Sequence, residues 1–396
     1  MNWPTFNLGS LCTIARGSSP RPIKDERFFA GGTIPWIKIA DATASGRKIF
    51  QTNQFVNELG ASFSRRLQPG SLILPASGTL GIPRFLGVEG CIHDGWIYFA
   101  DYKGIDPAFL YYKLITLKSY YEGIAYGAAI QNINTDIVRE TEVQLPDIRT
   151  QSRIANILGS YDDLIENNQR RIKLLEEAAR RLYREWFVAL RFPGHERVKV
   201  VDGVPQGWER VTLTDIASMN ESTVSIKNPP DTLRYLDISS VGTGVIHETT
   251  EYAFADAPGR ARRKVKHGDT IWSCVRPNRR SYALIWEPPE NLIASTGFAV
   301  LTPKTIPFAY LHLAATTDEF VGYLTSNATG AAYPAVTARD FESAELLKPS
   351  ASVLEDFDQR VTPLLAQQEV LQRHCKTLQQ ARDALLPRLM SGALAV

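Results

Sequence analysis

Residues 154–186 read IANILGSYDDLIENNQRRIKLLEEAARRLYREW, and residues 357–389 read FDQRVTPLLAQQEVLQRHCKTLQQARDALLPRL. In heptads, the first stretch places Leu158, Ile165, Ile172, Ala179 and Trp186 at a, with Ile154, Tyr161, Asn168, Leu175 and Leu182 at d. The second places Val361, Gln368, Cys375, Arg382 and Leu389 at a, and Phe357, Leu364, Leu371, Leu378 and Leu385 at d. A stripe held on a 3.5-residue period is a coiled-coil seam, whereas a helix lying on a domain has a wider apolar face that drifts with 3.6. Two long helices that pair are therefore expected; two helices each lying on its own domain is the plainer alternative. Interruptions are expected at matched places. Pro363 removes an intrahelical hydrogen bond and crowds the preceding turn, and its counterpart Ser160, after Gly159 and before Asp162-Asp163, suits an N-cap. Each region then reads as a short segment, a break near 159–160 or 363, and a helix of about 26 residues, roughly 40 Å long.

The two stretches belong to an internal repeat of about 200 residues, far too long for a solenoid. Pro35-Trp36-Ile37-Lys38-Ile39 matches Arg234-Tyr235-Leu236-Asp237-Ile238, an alternating strand. Gln68 to Leu74 matches Lys266 to Trp272, a glycine turn entering a strand, and Gly95 to Phe99 matches Gly297 to Leu301. A helix opened by proline follows in each half, Pro107 to Tyr121 and Pro307 to Leu324. From Gly127-Ala128-Ala129 and Gly330-Ala331-Ala332 onward the spacing stays at 203, through Pro146 and Pro349. Loops absorb insertions, but a helix that gains one residue rotates its face by about 100°. The architecture expected is a duplicated α/β (α+β) one: a first domain at 1–148, a helical region at 149–191, a Pro/Gly-rich linker at 192–207, a second domain at 208–348 and a second helical region at 349–396.

The 396 residues carry 44 Lys+Arg against 42 Asp+Glu, a net charge of +2, with 44% hydrophobic and 22% charged residues. This is ordinary globular material of more than one domain, and no global basic field marks it as a histone-like binder. The start lacks a basic segment followed by an apolar run, so a soluble, cytoplasmic protein is expected, with no membrane partner. Four cysteines without a C-x-x-C pair and six scattered histidines give the expectation of reduced thiols and no metal. Asn228-Pro229-Pro230-Asp231 resembles the loop with which adenine methyltransferases hold an extruded base, but Asp stands where a stacking ring is needed and no glycine-rich cofactor loop precedes it. Asp101-Tyr102-Lys103 has half of a nuclease motif without the other half. No phosphate-binding loop and no catalytic triad is evident, so no catalytic residue is assigned.

Positive charge is concentrated locally. Arg260, Arg262, Arg263, Lys264, Lys266, Arg276, Arg279 and Arg280 face the single acid Asp269 between 260 and 280, two clusters expected to flank the ends of strand 270–274. Arginine suits bidentate contacts to phosphate or to guanine O6 and N7; a solvated charged loop is the bland alternative. The matched place in the first half holds Arg65, Arg66, Ser77, Thr79 and Arg84. Two copies of one scaffold with divergent loops suit a protein reading two different DNA sequences.

The segments Leu158 to Lys173, Arg184 to Gly194 and Leu385 to Gly392, with the order variable domain, helix, variable domain, helix, resemble the specificity subunit of type I restriction-modification systems. The resemblance implies a non-catalytic reader of double-stranded DNA that binds a bipartite target, one half-site per domain. Its two helices would pair antiparallel as a spacer comparable with one turn of B-DNA, ~34 to 36 Å. Two modification (methyltransferase) subunits carrying S-adenosylmethionine would dock on it, joined by restriction subunits that translocate and cleave with ATP and Mg2+; no cofactor is implied in this chain. An orphan adenine DNA methyltransferase and a structural coiled-coil scaffold are the competing possibilities.

Overall fold

A computed structural model describes residues 3–125, 132–225 and 227–396. The chain divides into two units, Met1–Gln169 with Arg373–Val396, and Arg170–Gln372. In the first, a sheet runs in the order Thr13–Arg16, Trp96–Ala100, Leu72–Pro75, Arg84–Leu86, Lys48–Ile49, and a second in the order Phe55–Val56, Ile34–Ile37, Gly90–Ile92, Arg65–Leu67. In the second, the sheets run Ala217–Met219, Phe298–Pro303, Thr270–Ser273, Tyr282–Leu284 and Thr250–Ala253, Thr232–Leu236, Leu292–Ser295, Ala261–Lys264. Strand for strand these are the same two sheets, and Lys48–Ile49 is an addition to the first unit. The parallel pairing repeats as well, Ile34–Ile37 with Gly90–Ile92 and Thr232–Leu236 with Leu292–Ser295. The central strand is buried along its whole length in both units, an apolar run in Leu72–Pro75, while in Thr270–Ser273 the two hydroxyls find partners in His312 and Val275 C=O.

The helix expected after the third matched strand is two helices in each unit, Pro107–Thr116 with Lys118–Ile124 and Phe308–Ala314 with Asp318–Asn327. In the second unit the Thr317 hydroxyl accepts the Phe320 N–H at 3.1 Å and starts a new helix. Pro307 is the N-cap of its helix, while Pro107 opens its own as expected.

The long helices are continuous, Ile148–Tyr183 and Ala351–Met390, so neither expected break exists. Ser160 does not cap anything: its hydroxyl donates to the Asn156 carbonyl at 2.8 Å, a bond inside the helix. Pro363 and Gln359, whose carbonyl loses its donor, are both exposed, so water satisfies that carbonyl. The 36 and 40 residues make rods of about 54 and 60 Å. Every a and d position is buried or half-buried, and Ile157, Leu164 and Leu174, off the seam, are exposed. Pairing is antiparallel. In the first unit Ile154 and Leu158 share a core with Leu389 and Met390, while Ile165 meets Cys375. In the second, Ala179, Tyr183 and Trp186 pack with Leu365, Val361 and Phe357.

Residues 192–207 are not a boundary linker. They lie inside the second unit, where Phe192 and Trp208 are buried at a ring separation of 4.8 Å and Val200–Val201 pairs with Val204–Pro205. The unit boundaries fall within the helices, so each α/β domain is built together with one stretch of both.

Candidate nucleic-acid interface

Residues 260–264 do not flank the strand that follows them; Ala261–Lys264 is itself the edge strand of the other sheet, antiparallel to Leu292–Ser295 with a bulge between Ala261 and Arg263. Its outer edge is taken by residues 222–224, with the Lys264 N–H on Ser222 C=O at 3.0 Å and the Val224 N–H on Arg262 C=O at 2.9 Å. The second cluster, 276–280, follows the central strand of the neighbouring sheet. The turn at 296–297 joins the two: the Thr296 N–H donates to Arg260 C=O at 2.8 Å, and the Cys274 N–H to Gly297 C=O at 2.9 Å. One turn thus ties the two clusters together.

Neutralisation within them is partial. Lys266 pairs with Glu221 at 2.8 Å and Arg280 with Asp318 at 2.6 Å. Among the described residues, Arg260, Arg262, Arg263, Lys264, Arg276 and Arg279 face no carboxylate partner. The Arg262 guanidinium lies 5.5 Å from the Phe254 ring centre and donates to Ala261 C=O at 2.8 Å. The Arg263 Nε is buried without an acceptor among the described residues. Guanidinium groups without a carboxylate partner are the chemistry that polyanion binding requires.

At the end of the central strand the fold makes a junction that sequence reasoning did not join. Val275 bridges to Ala335, and the Val336 N–H donates to Cys274 C=O at 2.9 Å, so the copy Gly330 to Val336 of the repeated motif lies along the loop that opens at Arg276. In the first unit Ser77 bridges to Asn132, and the Ile133 N–H donates to Ala76 C=O at 2.9 Å. Residues 127–131 of the first motif lie outside the described residues; its last two occupy the matched place. Sequence spacing had located both partners in each half but carried no sign of their contact.

In the first unit Arg65 is exposed, with its guanidinium 5.5 Å from the Tyr98 ring centre. Arg66 pairs with Glu89 and lies 3.4 Å from Glu58. Arg84, nominated from sequence for DNA, is turned inward. Its Nε donates to Ala42 C=O at 2.9 Å, Nη1 to Pro83 C=O at 2.9 Å and Nη2 to Ser45 C=O at 3.3 Å, and burial lowers its pKa. It closes the end of helix Ile39–Ala44, where free carbonyls collect. Ser77 and Thr79 sit half-buried at the rim.

Asn228 to Asp231 is a turn with its Asn, its first Pro and its Asp exposed; the Asn228 N–H donates to Ser225 Oγ at 3.2 Å, and the Asp231 carbonyl accepts the Phe254 N–H at 3.0 Å. Asp101 accepts the Thr13 hydroxyl at 2.9 Å on a left-handed turn, φ 49°. Among the described residues no cluster of His, Cys, Asp and Glu fits a metal ion, and no helix is long and apolar enough to cross a membrane. Burial pushes the Cys12 thiol up to about 12 and Cys274 to about 11, which leaves both unreactive at neutral pH.

The family model described as "Type I restriction modification DNA specificity domain" matches residues 1–177. The chain is 24% identical to the type I restriction enzyme MjaIX specificity subunit of Methanocaldococcus jannaschii, over 100% of this chain and 94% of that protein. It is 22% identical to the HindI specificity subunit of Haemophilus influenzae, over 99% and 100% respectively. Its fold is that of the S subunit of a type I restriction-modification system from M. genitalium, with a TM-score of 0.64 at 16% identity over 98% of this chain and 96% of that one. With the duplicated domains and the paired helices, these likenesses make the chain similar over its whole length to type I restriction-modification specificity subunits.

Proposed function

We propose that this chain reads a bipartite DNA target, one half-site per unit, and directs methylation and cleavage by partner subunits without catalysing either. The observation that carries this reading is the matched junction: at the same place in two copies of one scaffold, the loop after the central strand is bridged to the repeated motif, at Ser77 with Asn132 and at Val275 with Ala335. Matched backbone bridges with different side chains beside them, Ser77 and Thr79 against Arg276 and Arg279, are what two different half-sites call for. The arginines of 260–264 hold phosphates beside it. The long helices act as the spacer. Two modification subunits supply S-adenosylmethionine chemistry, restriction subunits supply ATP- and Mg2+-dependent translocation and cleavage, and the assembly works in the cytoplasm.

The test is co-expression with modification subunits from the same genome, followed by methylation mapping. A two-part motif with an unread gap, present only when this chain is present, is the expected result. Inserting four residues after Asn168 adds ~6 Å of helix and nearly keeps the heptad face, and lengthens the gap with both half-sites unchanged. Methylation by the isolated chain, lost in Asn228→Ala, would overturn the reading in favour of an orphan methyltransferase.

A further inference from the structure

Tyr333 is the most exposed large hydrophobic side chain among the described residues, at 68%. It sits on the second copy of the repeated motif, and the Arg276 guanidinium lies 4.4 Å from its ring centre. That guanidinium is held on further sides. Its Nη2 donates to Ala332 C=O at 3.0 Å, the Arg276 N–H donates to Pro334 C=O at 2.6 Å, and the residue itself occupies the left-handed region at φ 53°. A non-glycine residue pays to stand there and persists only where its surroundings hold it. Thr329 and Ala335 exchange both backbone bonds at 2.9 Å and close the loop beneath the ring. An arginine on a free loop would instead sample many rotamers and lose that freedom on binding.

Donor arithmetic decides what the group can still do. A guanidinium has five N–H donors, and Ala332 uses one hydrogen of Nη2. The Nε hydrogen, the other Nη2 hydrogen and both on Nη1 remain, enough for the two-pronged fork that matches guanine O6 and N7 in the major groove. The ring beneath keeps the fork in one plane, the property a lysine lacks. By the spacing of the repeat the counterparts are Gly78 and Ile130, so the first copy of the scaffold has neither the fork nor the ring.

We infer that Arg276, oriented by Tyr333, reads one guanine in the half-site of the second unit, with Tyr333 as the positioning residue; this rests on the proposed function. The test uses the full chain assembled with its modification subunits, comparing Tyr333→Ala, Tyr333→Phe and Arg276→Lys by methylation mapping and by binding to duplexes varied one base pair at a time. Discrimination at one G·C position should fall by roughly 5- to 150-fold in Tyr333→Ala and in Arg276→Lys, and survive in Tyr333→Phe. The other half-site and the salt dependence should not change, since neither variant removes a charge, and the melting temperature should stay at the parent value. An unchanged motif in Tyr333→Ala and Arg276→Lys, or weakening spread evenly over all positions, overturns the inference while the parent still shows a bipartite motif. A parent with no bipartite motif overturns the proposed function, and this inference with it.

Discussion

Asp162 and Arg382 in the first unit occupy the repeat positions of Leu365 and Ala179 in the second, each pair 203 residues apart. In the first unit the Asp162 carboxylate, its side chain 7% exposed, accepts from Arg382 Nη1 at 2.5 Å and from the Tyr112 hydroxyl at 2.6 Å. Arg47 adds a second clasp, pairing with Asp163 while its N–H donates to Glu166 at 3.2 Å. In the second unit the same layer is apolar: Leu365 and Ala179 are buried in one core with Tyr183, Trp186, Phe187, Tyr310 and Phe357. One packing position is thus filled by ionic chemistry in one copy and by aliphatic and aromatic packing in the other. Buried ion pairs seldom add net stability over apolar packing, but they penalise any partner lacking the opposite charge. The difference therefore teaches specificity: each α/β domain is matched to its own stretch of the helix pair, although the strand orders repeat.

The largest expected effect comes from putting the charge of one copy into the other. Leu365→Asp places a carboxylate among apolar neighbours with no cation opposite and should cost about 3–5 kcal/mol in urea unfolding, whereas the triple change Tyr112→Phe, Asp162→Leu, Arg382→Ala, which copies the apolar layer, should be neutral or stabilise by about 1–4 kcal/mol. A triple variant as damaged as Leu365→Asp would show that the ionic layer is needed for stability itself.

A smaller difference concerns acid. Burial lowers the His93 pKa in the first unit to about 4, and the His312 pKa in the second to about 3. Both are depressed below the unfolded value near 6.5, so the unfolded chain takes the proton first. The stability from keeping each ring neutral is complete above about pH 6.5, declines by ~1.4 kcal/mol per pH unit below it, and is spent once pH passes the folded pKa. Between pH 4 and 3 only the second unit keeps losing stability from this source. His312→Gln should flatten the acid limb of unfolding seen by amide exchange in residues 170–372, and His93→Gln that in the first unit. Equal flattening in both units by either variant would mean that the units unfold as one.

How much of this was legible from sequence follows the same division. Residues that act through periodicity were readable: the heptad seam lies where Leu158, Ile165, Leu371 and Leu389 put it, and the matched strands repeat in both sheets. Residues that act through a partner were not. Arg84 and Arg262 are the same residue type and both carried the same expectation, yet one is spent on three carbonyls and the other faces no carboxylate among the described residues. The Asp162–Arg382 pair spans 220 residues of sequence, and nothing local announces it. The breaks failed for a related reason: a proline stops a helix only where the freed carbonyl goes unsatisfied, and exposure of Gln359 is a tertiary fact. Tyr333 had a signal that went unused, the aromatic that replaces Ile130 in an otherwise repeated Gly-Ala-Ala motif.

The smallest expected effect tests whether the two units spend their arginines differently toward DNA. Replacing Arg262 with Gln removes a guanidinium that faces no carboxylate among the described residues. If it holds a phosphate, its loss releases about one fewer counterion, and the slope of log affinity against log salt should shrink by ~0.9. Arg66 looks equivalent, on the matched edge strand of its own sheet, but it is paired with Glu89. To reach a phosphate it must leave that carboxylate, and the freed Glu89 would then repel the same backbone, so the net charge presented to DNA is close to nil. The double change Arg66→Gln with Glu89→Gln, which removes both charges of the pair, should therefore leave the slope within error of the parent. Equal loss of slope in Arg262→Gln and in that double variant would mean that the first unit releases Arg66 on binding, and the contrast between an internally spent first unit and an open second one would not extend to the DNA complex.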